Sequence, residues 1–402
     1  MNTMTRPAKT GASVDLVRHA RLLSEIREAV LSGRRPPRQP RPLVARSWER
    51  LCTHGISPDD CVRSTSVSLS EVENRRSRSD LRKVLPDLRA VLGSAAAGAD
   101  FVVVIADDDG VVLWRDGAQA IRRTADQLGF VEGASWAEDH VGTNAIGTAL
   151  IENTGLTLFS AEHYARRQHS WYCIGEPVHD PRSGDVLGVI DISGPAMTLH
   201  PSTAGLAHSA ARLAEATLWR LHRESLDRLC EESAALLAGT APALVVDEHG
   251  WVACARGLDN PRRIAAPEPG TAAFVPGLGL TVPEPLGQGW IMRPHRADAQ
   301  IELELDLGDS PRATVRGDVT WTRALSPRHA QILRMLAQHP RHGVNATDLS
   351  VALYGNAEHT VAVRSEISRL RRRLGAIITG QPYRFSDEVV VRVLTGVVPA
   401  RG

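Results

Sequence analysis

The sequence predicts a multidomain α+β chain. Three observations carry this: antiparallel hairpin patterns between residues 101 and 192, short Gly- and Pro-punctuated strands over 236–320, and three capped helices with two apolar strands over 323–396. At about 100–200 residues per domain, 402 residues suffice for roughly three domains. A hydrophobic content of 43% is enough for several cores and excludes wholesale disorder. The net charge of +1 points to no particular partner.

Two classes of function drop out at once. Among 47 basic residues only Lys9 and Lys83 are lysines, preceded by Ala8 and Arg82. A phosphate-binding loop needs a lysine directly after its last glycine, so no such loop is present. Met1–Ser13 is polar, and nowhere do 18 apolar residues run together, which argues against secretion and membrane spanning. Cys52, Cys61, Cys173, Cys230 and Cys254 are dispersed with no C-x-x-C pair. That pattern suits reduced thiols in the cytoplasm rather than disulfides or a metal cage. No cofactor and no metal are expected.

Residues 14–31 have helical apolar spacing, and Gly33–Pro42, with four prolines, reads as a stiff basic linker. Leu43, Ala45, Trp48 and Leu51 mark a second helix ending near Gly55. A third spans 68–94 and starts at a Ser68-x-x-Glu71 or Ser70-x-x-Glu73 capping pattern. These elements make up a helical N-terminal region, 1–84. Phe101–Ile105 and Val111–Trp114 flank an Asp-Gly turn, and Asp107–Asp109 reads as that turn's solvated tip rather than as metal ligands. Glu176–Asp180 and Val186–Ile192 form a second hairpin, with helices and loops over 116–170. A long helix then follows Pro201, closing a domain of 85–235. Its Leu206, Leu213, Leu221 and Leu229 fit either packing onto the sheet or a homodimer seam. Over 236–320 a small β-rich domain is expected. Ala243–Cys254 is a hairpin there, and Ile301–Leu307 alternates as a strand with one buried face.

Ser326-Pro327 opens a helix as N-cap and first-turn proline, Asn345 caps a second that ends at Gly355, and a third runs from Thr360 to Leu374. Ile377 onward and Val389–Val393 are two strands, a β-wing. At about 100° per residue, Val363, Ile367, Leu370 and Leu374 share one face of the third helix. Ser365, Ser368, Arg369 and Arg372 fall opposite, with Arg364 and Arg371 on the flanks. Five arginines and one glutamate lie between 359 and 374. Such a helix docks by its apolar side and offers Arg and Ser to phosphates and base edges, so double-stranded DNA is the expected partner.

This segment resembles the winged helix of bacterial response regulators, in Leu325-Ser-Pro-Arg328, Ser368-Arg-Leu-Arg-Arg-Arg-Leu-Gly375 and Tyr383-Arg-Phe385. Val363 to Ile367 is longer than in the common form. Residues 43–200 resemble the sensory half of the acetoin catabolism regulators, which carries a GAF domain. The resemblance rests on Arg46-Ser-Trp-Glu-Arg50, Trp136-Ala-Glu138, Gly142-Thr-Asn-Ala-Ile-Gly-Thr-Ala-Leu150, Glu162-His163, Trp171-Tyr-Cys173, Glu176–Gly184 and Leu187-Gly-Val-Ile-Asp-Ile-Ser-Gly194. It implies a GAF-like sheet holding a small-molecule effector, with Trp136, Asn144, His163, Trp171 and Cys173 as candidate ligand contacts. His140, His163, His169 and His179 match no metal-ligand spacing. That family normally continues into an ATPase, which the missing lysine rules out for these residues. The expectation is therefore a non-enzymatic one-component transcription regulator, homodimeric, with RNA polymerase as a further partner. Control of alcohol, aldehyde or ketone catabolism is the implied role. The alternative is a redox enzyme or sensor using Cys173, like the free methionine sulfoxide reductases.

Overall fold

The structure is a computed structural model. It describes residues 12–58, 66–97, 100–239, 241–258, 261–269, 271, 273–294, 301–316, 320–374, 377–387 and 389–394. The chain forms two compact units, Met1–Leu221 and His222–Gly402. It is a mixed α+β protein whose main sheets are largely antiparallel.

The first unit begins with α1 (Ala12–Leu31), α2 (Pro42–Thr53), α3 (Leu69–Arg78) and α4 (Leu81–Ala97). Where one helix was expected over 68–94 there are two, because Ser79 adopts extended backbone at the end of α3. Of the two capping patterns read, Ser68-x-x-Glu71 is the one used: Ser68 Oγ accepts from the Glu71 amide at 3.2 Å. Next come β1 (Val102–Asp107), β2 (Val112–Gly117), α5 (Gln119–Gln127), α6 (Glu138–Val141), α7 (Ala145–Glu152) and β3 (Leu156–Phe159). The unit closes with β4 (Trp171–His179), β5 (Val186–Pro195) and the first part of α8 (Ser202–Ser233). Both expected hairpins are present. The four-residue β3 carries too short a pattern to be read from sequence.

The five strands form one antiparallel sheet in the order β2-β1-β5-β4-β3. Its two faces can be told apart by glycines. A Cβ on Gly175 would lie 2.1 Å from the Ala145 carbonyl, so α7 presses on the face that Gly175 looks out on. A Cβ on Gly188 would meet Leu81 of α4, so α4 covers the other face. One core spans the whole unit, and Leu23 and Ile26 of α1 and Val44, Trp48 and Leu51 of α2 belong to it. The expected boundary at residue 84 therefore does not separate two cores: burial of α1 and α2 joins them to the sheet unit.

The second unit contains β6 (Ala243–Asp247), β7 (Val252–Arg256), β8 (Ala273–Val275), β9 (Gly279–Thr281), β10 (Glu284–Leu286) and β11 (Gly289–Met292). These are followed by β12 (Ile301–Asp306), β13 (Arg312–Arg316), β14 (Trp321–Ala324), α9 (Pro327–Gln338), α10 (Ala346–Tyr354) and α11 (Thr360–Leu374). The last strands are β15 (Ile378–Thr379), β16 (Arg384–Phe385) and β17 (Val389–Leu394). One sheet runs β10-β11-β6-β7 and another β14-β13-β12-β17.

The second of these sheets corrects the expected division at 320. β12 pairs parallel with β17 from the far end of the unit. Leu303, Leu305 and Val315 share a core with Ile332, Leu333, Val363 and Ile367. Alternation along Ile301–Leu307 revealed a buried face but not which core it faces. The wing also pairs differently from expectation: β15 forms a two-residue hairpin with β16, and β17 leaves for β12. The caps of α9 and α10 are as read, with the His329 amide 3.2 Å from Ser326 Oγ and the Asp348 amide 2.8 Å from Asn345 Oδ1.

Candidate functional site

In the first unit, cross-strand register places the candidate residues. Trp171 and Cys173 of β4 share the Gly175 face, and Cys173 and Gly175 pair with Ser193 and Asp191 of β5. The α7 face of the sheet thus carries Trp171, Cys173, Asp191 and Ser193. Asp191 is 1% exposed. Its Oδ1 accepts from Ser193 Oγ at 2.5 Å and its Oδ2 has no partner among the described residues. Burial pushes this carboxyl up to about 7, against the Ser193 hydrogen bond that holds it down. Asp191 and Ser193 were not among the candidate ligand contacts read from the sequence. The only signal was a lone Asp inside an apolar strand, which a buried strand does not need.

Cys173 lies beside them, and burial, then the Asp191 charge, push its thiol well above the usual range. A thiol shifted this way is mostly protonated at neutral pH, which disfavours thiolate chemistry at this residue. Trp171 is buried. Trp136 is buried against Phe130 at a centroid distance of 4.3 Å, and its Nε1 has no partner among the described residues. His163 is fully buried, with Nδ1 2.9 Å from the Ser160 carbonyl and Nε2 without a partner among the described residues. Burial lowers its pKa to about 4, so the ring is neutral at pH 7.

Asn144 has a different job. Its Oδ1 accepts from the amides of Ile146 at 3.0 Å and Gly147 at 2.9 Å, capping α7. Its Nδ2 donates to the carbonyls of Trp136 and Gly142, both at 2.9 Å. With all four bonds made to backbone, this amide holds the loop and leaves nothing for a ligand.

The motif Arg46-Ser-Trp-Glu-Arg50 on α2 is a clamp on the loop and helix that follow Trp136. Glu138 is buried; it accepts from Ser47 Oγ at 2.8 Å, Thr148 Oγ1 at 2.6 Å and Arg50 Nε at 2.9 Å. Arg50 Nη1 also reaches Glu152 at 2.6 Å, and Arg46 pairs with the same carboxylate. Trp48 Nε1 donates to the Glu162 carbonyl, while Arg41 holds the Glu162 carboxylate at 2.6 Å. Separate stretches of the sequence pattern are thus one hydrogen-bonded assembly.

In the second unit, α11 buries Val363, Ile367, Leu370 and Leu374. Arg364, Ser365 and Ser368 are exposed. Arg369 is also exposed but is tied at 2.8 Å to Glu366, whose other oxygen lies 3.0 Å from His329 Nε2. Arg371 turns away from this surface. Its Nε donates to the Ile378 carbonyl at 3.0 Å and its guanidinium lies 5.8 Å from the Tyr383 ring centroid, so it holds the β15–β16 hairpin. The Arg372 side chain lies outside the described residues. Beside α11 is a groove of about 1270 Å³, lined among others by Arg323, Arg328, Glu366, Arg369 and Arg373. Among the described residues there is no group of three or more potential metal ligands and no helix long and apolar enough to cross a membrane. Cys230 and Cys254, far apart in sequence, come into thiol contact, and burial with that neighbour raises Cys254 to about 12.

Residues 32–216 match the family described as MimR, N-terminal domain. An uncharacterised 47.3 kDa protein from the thcA 5′ region of Rhodococcus erythropolis is 29% identical over 94% of this chain and 72% of its own length. The acetoin dehydrogenase operon transcriptional activator AcoR of Bacillus subtilis is 33% identical over 50% of this chain. The propane 2-monooxygenase operon transcriptional activator MimR of Mycolicibacterium smegmatis is 29% identical over 52%. The match spans only 33% of the first activator and 36% of the second. The chain therefore resembles transcriptional regulators of the acetoin catabolism type, as its motifs predicted, and two of these three relatives are named as transcriptional activators.

Proposed function

We propose that this chain is a one-component transcription regulator: a GAF-like first unit senses a small molecule, and a winged helix in the second binds double-stranded DNA. The observation that carries the reading is the sidedness of α11. Its apolar stripe is spent on the core while Arg364, Ser365 and Ser368 stand free on the surface. A helix so divided, following a short capped helix and followed by a hairpin that Arg371 secures, suits insertion into a major groove. Arg364, Ser365, Ser368 and Arg369 are the proposed contacts; Arg371 is a positioning residue for the wing.

For the sensor, the α7 face of the sheet is the proposed effector side. Trp136 and Trp171 wall it, Asp191, Ser193 and the His163 Nε2 supply polar contacts, and Cys173 stays a thiol. A buried carboxyl beside a hydroxyl favours a neutral hydrogen-bonding molecule over an anion. That agrees with the small alcohol, aldehyde or ketone class implied by the resemblance. Homodimerisation along Leu206, Leu213 and Leu221 of α8, which are half-buried, completes the proposal.

The test is a titration of the full chain on duplexes from the upstream region of its own gene. Saturable binding that Arg364→Ala weakens supports the reading. Equal, weak binding by wild type and variant overturns it.

A further inference from the structure

The surface of α11 carries one residue that charge and solubility do not explain. Val361, in the first turn, is 74% exposed, whereas among the described side chains the other exposed residues of the helix are Arg364, Ser365, Ser368, Arg369 and Arg373. A β-branched apolar side chain gains nothing in water, and valine is not favoured by helix propensity. On the helix, Val361 and Ser368 lie roughly 20° apart about the axis and about 10 Å apart along it, with Ser365 between them. Val361 therefore heads the exposed stripe opposite Val363, Ile367, Leu370 and Leu374. Its place is the amino-terminal turn, the part of a recognition helix that reaches base edges in helix-turn-helix proteins.

In the major groove the only apolar group on a base edge is the 5-methyl of thymine. We propose that Val361 is a specificity residue that reads a thymine methyl in the operator. This rests on the DNA-binding reading above. The polar residues below it then fix register: Ser365 and Ser368 accept or donate to neighbouring edges, and Arg364 meets phosphate on the flank. Enclosing one methyl between Val361 and the groove floor is equivalent to burying about one CH₂ group, which corresponds to roughly a fourfold preference.

The full chain is used to enrich duplexes from a randomised library. In an enriched duplex each thymine is replaced in turn by deoxyuridine, which deletes the methyl and nothing else. One position is expected to lose about fourfold in affinity with wild type. That loss should vanish with Val361→Ser and persist in part with Val361→Thr, which keeps one methyl. If no thymine responds to the replacement, or if Val361→Ser responds as wild type does, the inference is overturned while DNA binding stands. If no duplex enriches, the DNA reading itself fails, and this inference with it.

Discussion

Replacing Glu138 by alanine removes the centre of the clamp between α2 and α7. The buried carboxylate accepts from Ser47, Thr148 and Arg50 at 2.6–2.9 Å, so two buried hydroxyls lose their acceptor at once. A buried group left unsatisfied costs about 1–3 kcal/mol, and breaking a buried ion pair about 3–5 kcal/mol. Two features soften this: Arg50 is 31% exposed and keeps Glu152 at 2.6 Å, and Ser47 keeps Thr143 at 2.7 Å. The lower end applies, about 3 kcal/mol in total. For a unit of this size that lowers the melting temperature by roughly 6–12 °C. Glu138→Gln keeps one acceptor oxygen and should lose about half as much. Calorimetry of the full chain with attention to the first transition reads the effect. A shift under about 2 °C for Glu138→Ala would show that the clamp is not what holds the loop.

Three further outcomes follow from the same geometry. Asp191 has a folded pKa raised to about 7, so the folded state keeps a proton that the unfolded state releases, and this residue's contribution to stability falls as pH rises from about 4 to 7. Asp191→Asn removes that dependence; urea melts at pH 5 and pH 8 should show the variant gaining on wild type at the higher pH, and a constant difference would contradict the burial. Asn144→Ala should cost about 2 kcal/mol by denaturant titration, the upper end for a helix cap, because its amide also ties two loop carbonyls; a cost near zero would mean the loop holds itself. Arg371→Ala should speed hydrogen exchange in residues 378–385 without altering the first unit, and unchanged exchange there would show that the hairpin needs no such anchor.

Legibility in the sequence followed locality. Caps at Ser68, Ser326 and Asn345 were readable because the capping side chain and the amide it serves are neighbours. The buried stripe of α11 was readable because 3.6-residue periodicity is a local property. What depended on distant pairing was not: the parallel union of β12 with β17, the capture of α1 and α2 by the sheet core, and the Cys230–Cys254 contact. Among the candidate ligand residues, Asn144 was misplaced for a related reason. A polar residue inside a motif looks alike whether it faces a ligand or four backbone groups. Asp191 was passed over because its residue type was visible in the strand pattern but its burial was not. The helical wheel put Arg369 opposite the apolar face and Arg371 on its flank, but it could not show that the Ile378 carbonyl claims Arg371 and Glu366 claims Arg369.

The central claim, that α11 meets a duplex, is tested most directly by the salt dependence of affinity for one enriched duplex. Phosphate contacts release counterions, so the logarithm of the association constant should fall steeply and linearly with the logarithm of salt concentration. Arg364→Ala should flatten that slope by about 1 as one contact is lost. An affinity indifferent to salt, or a slope that Arg364→Ala leaves unchanged, would contradict the account.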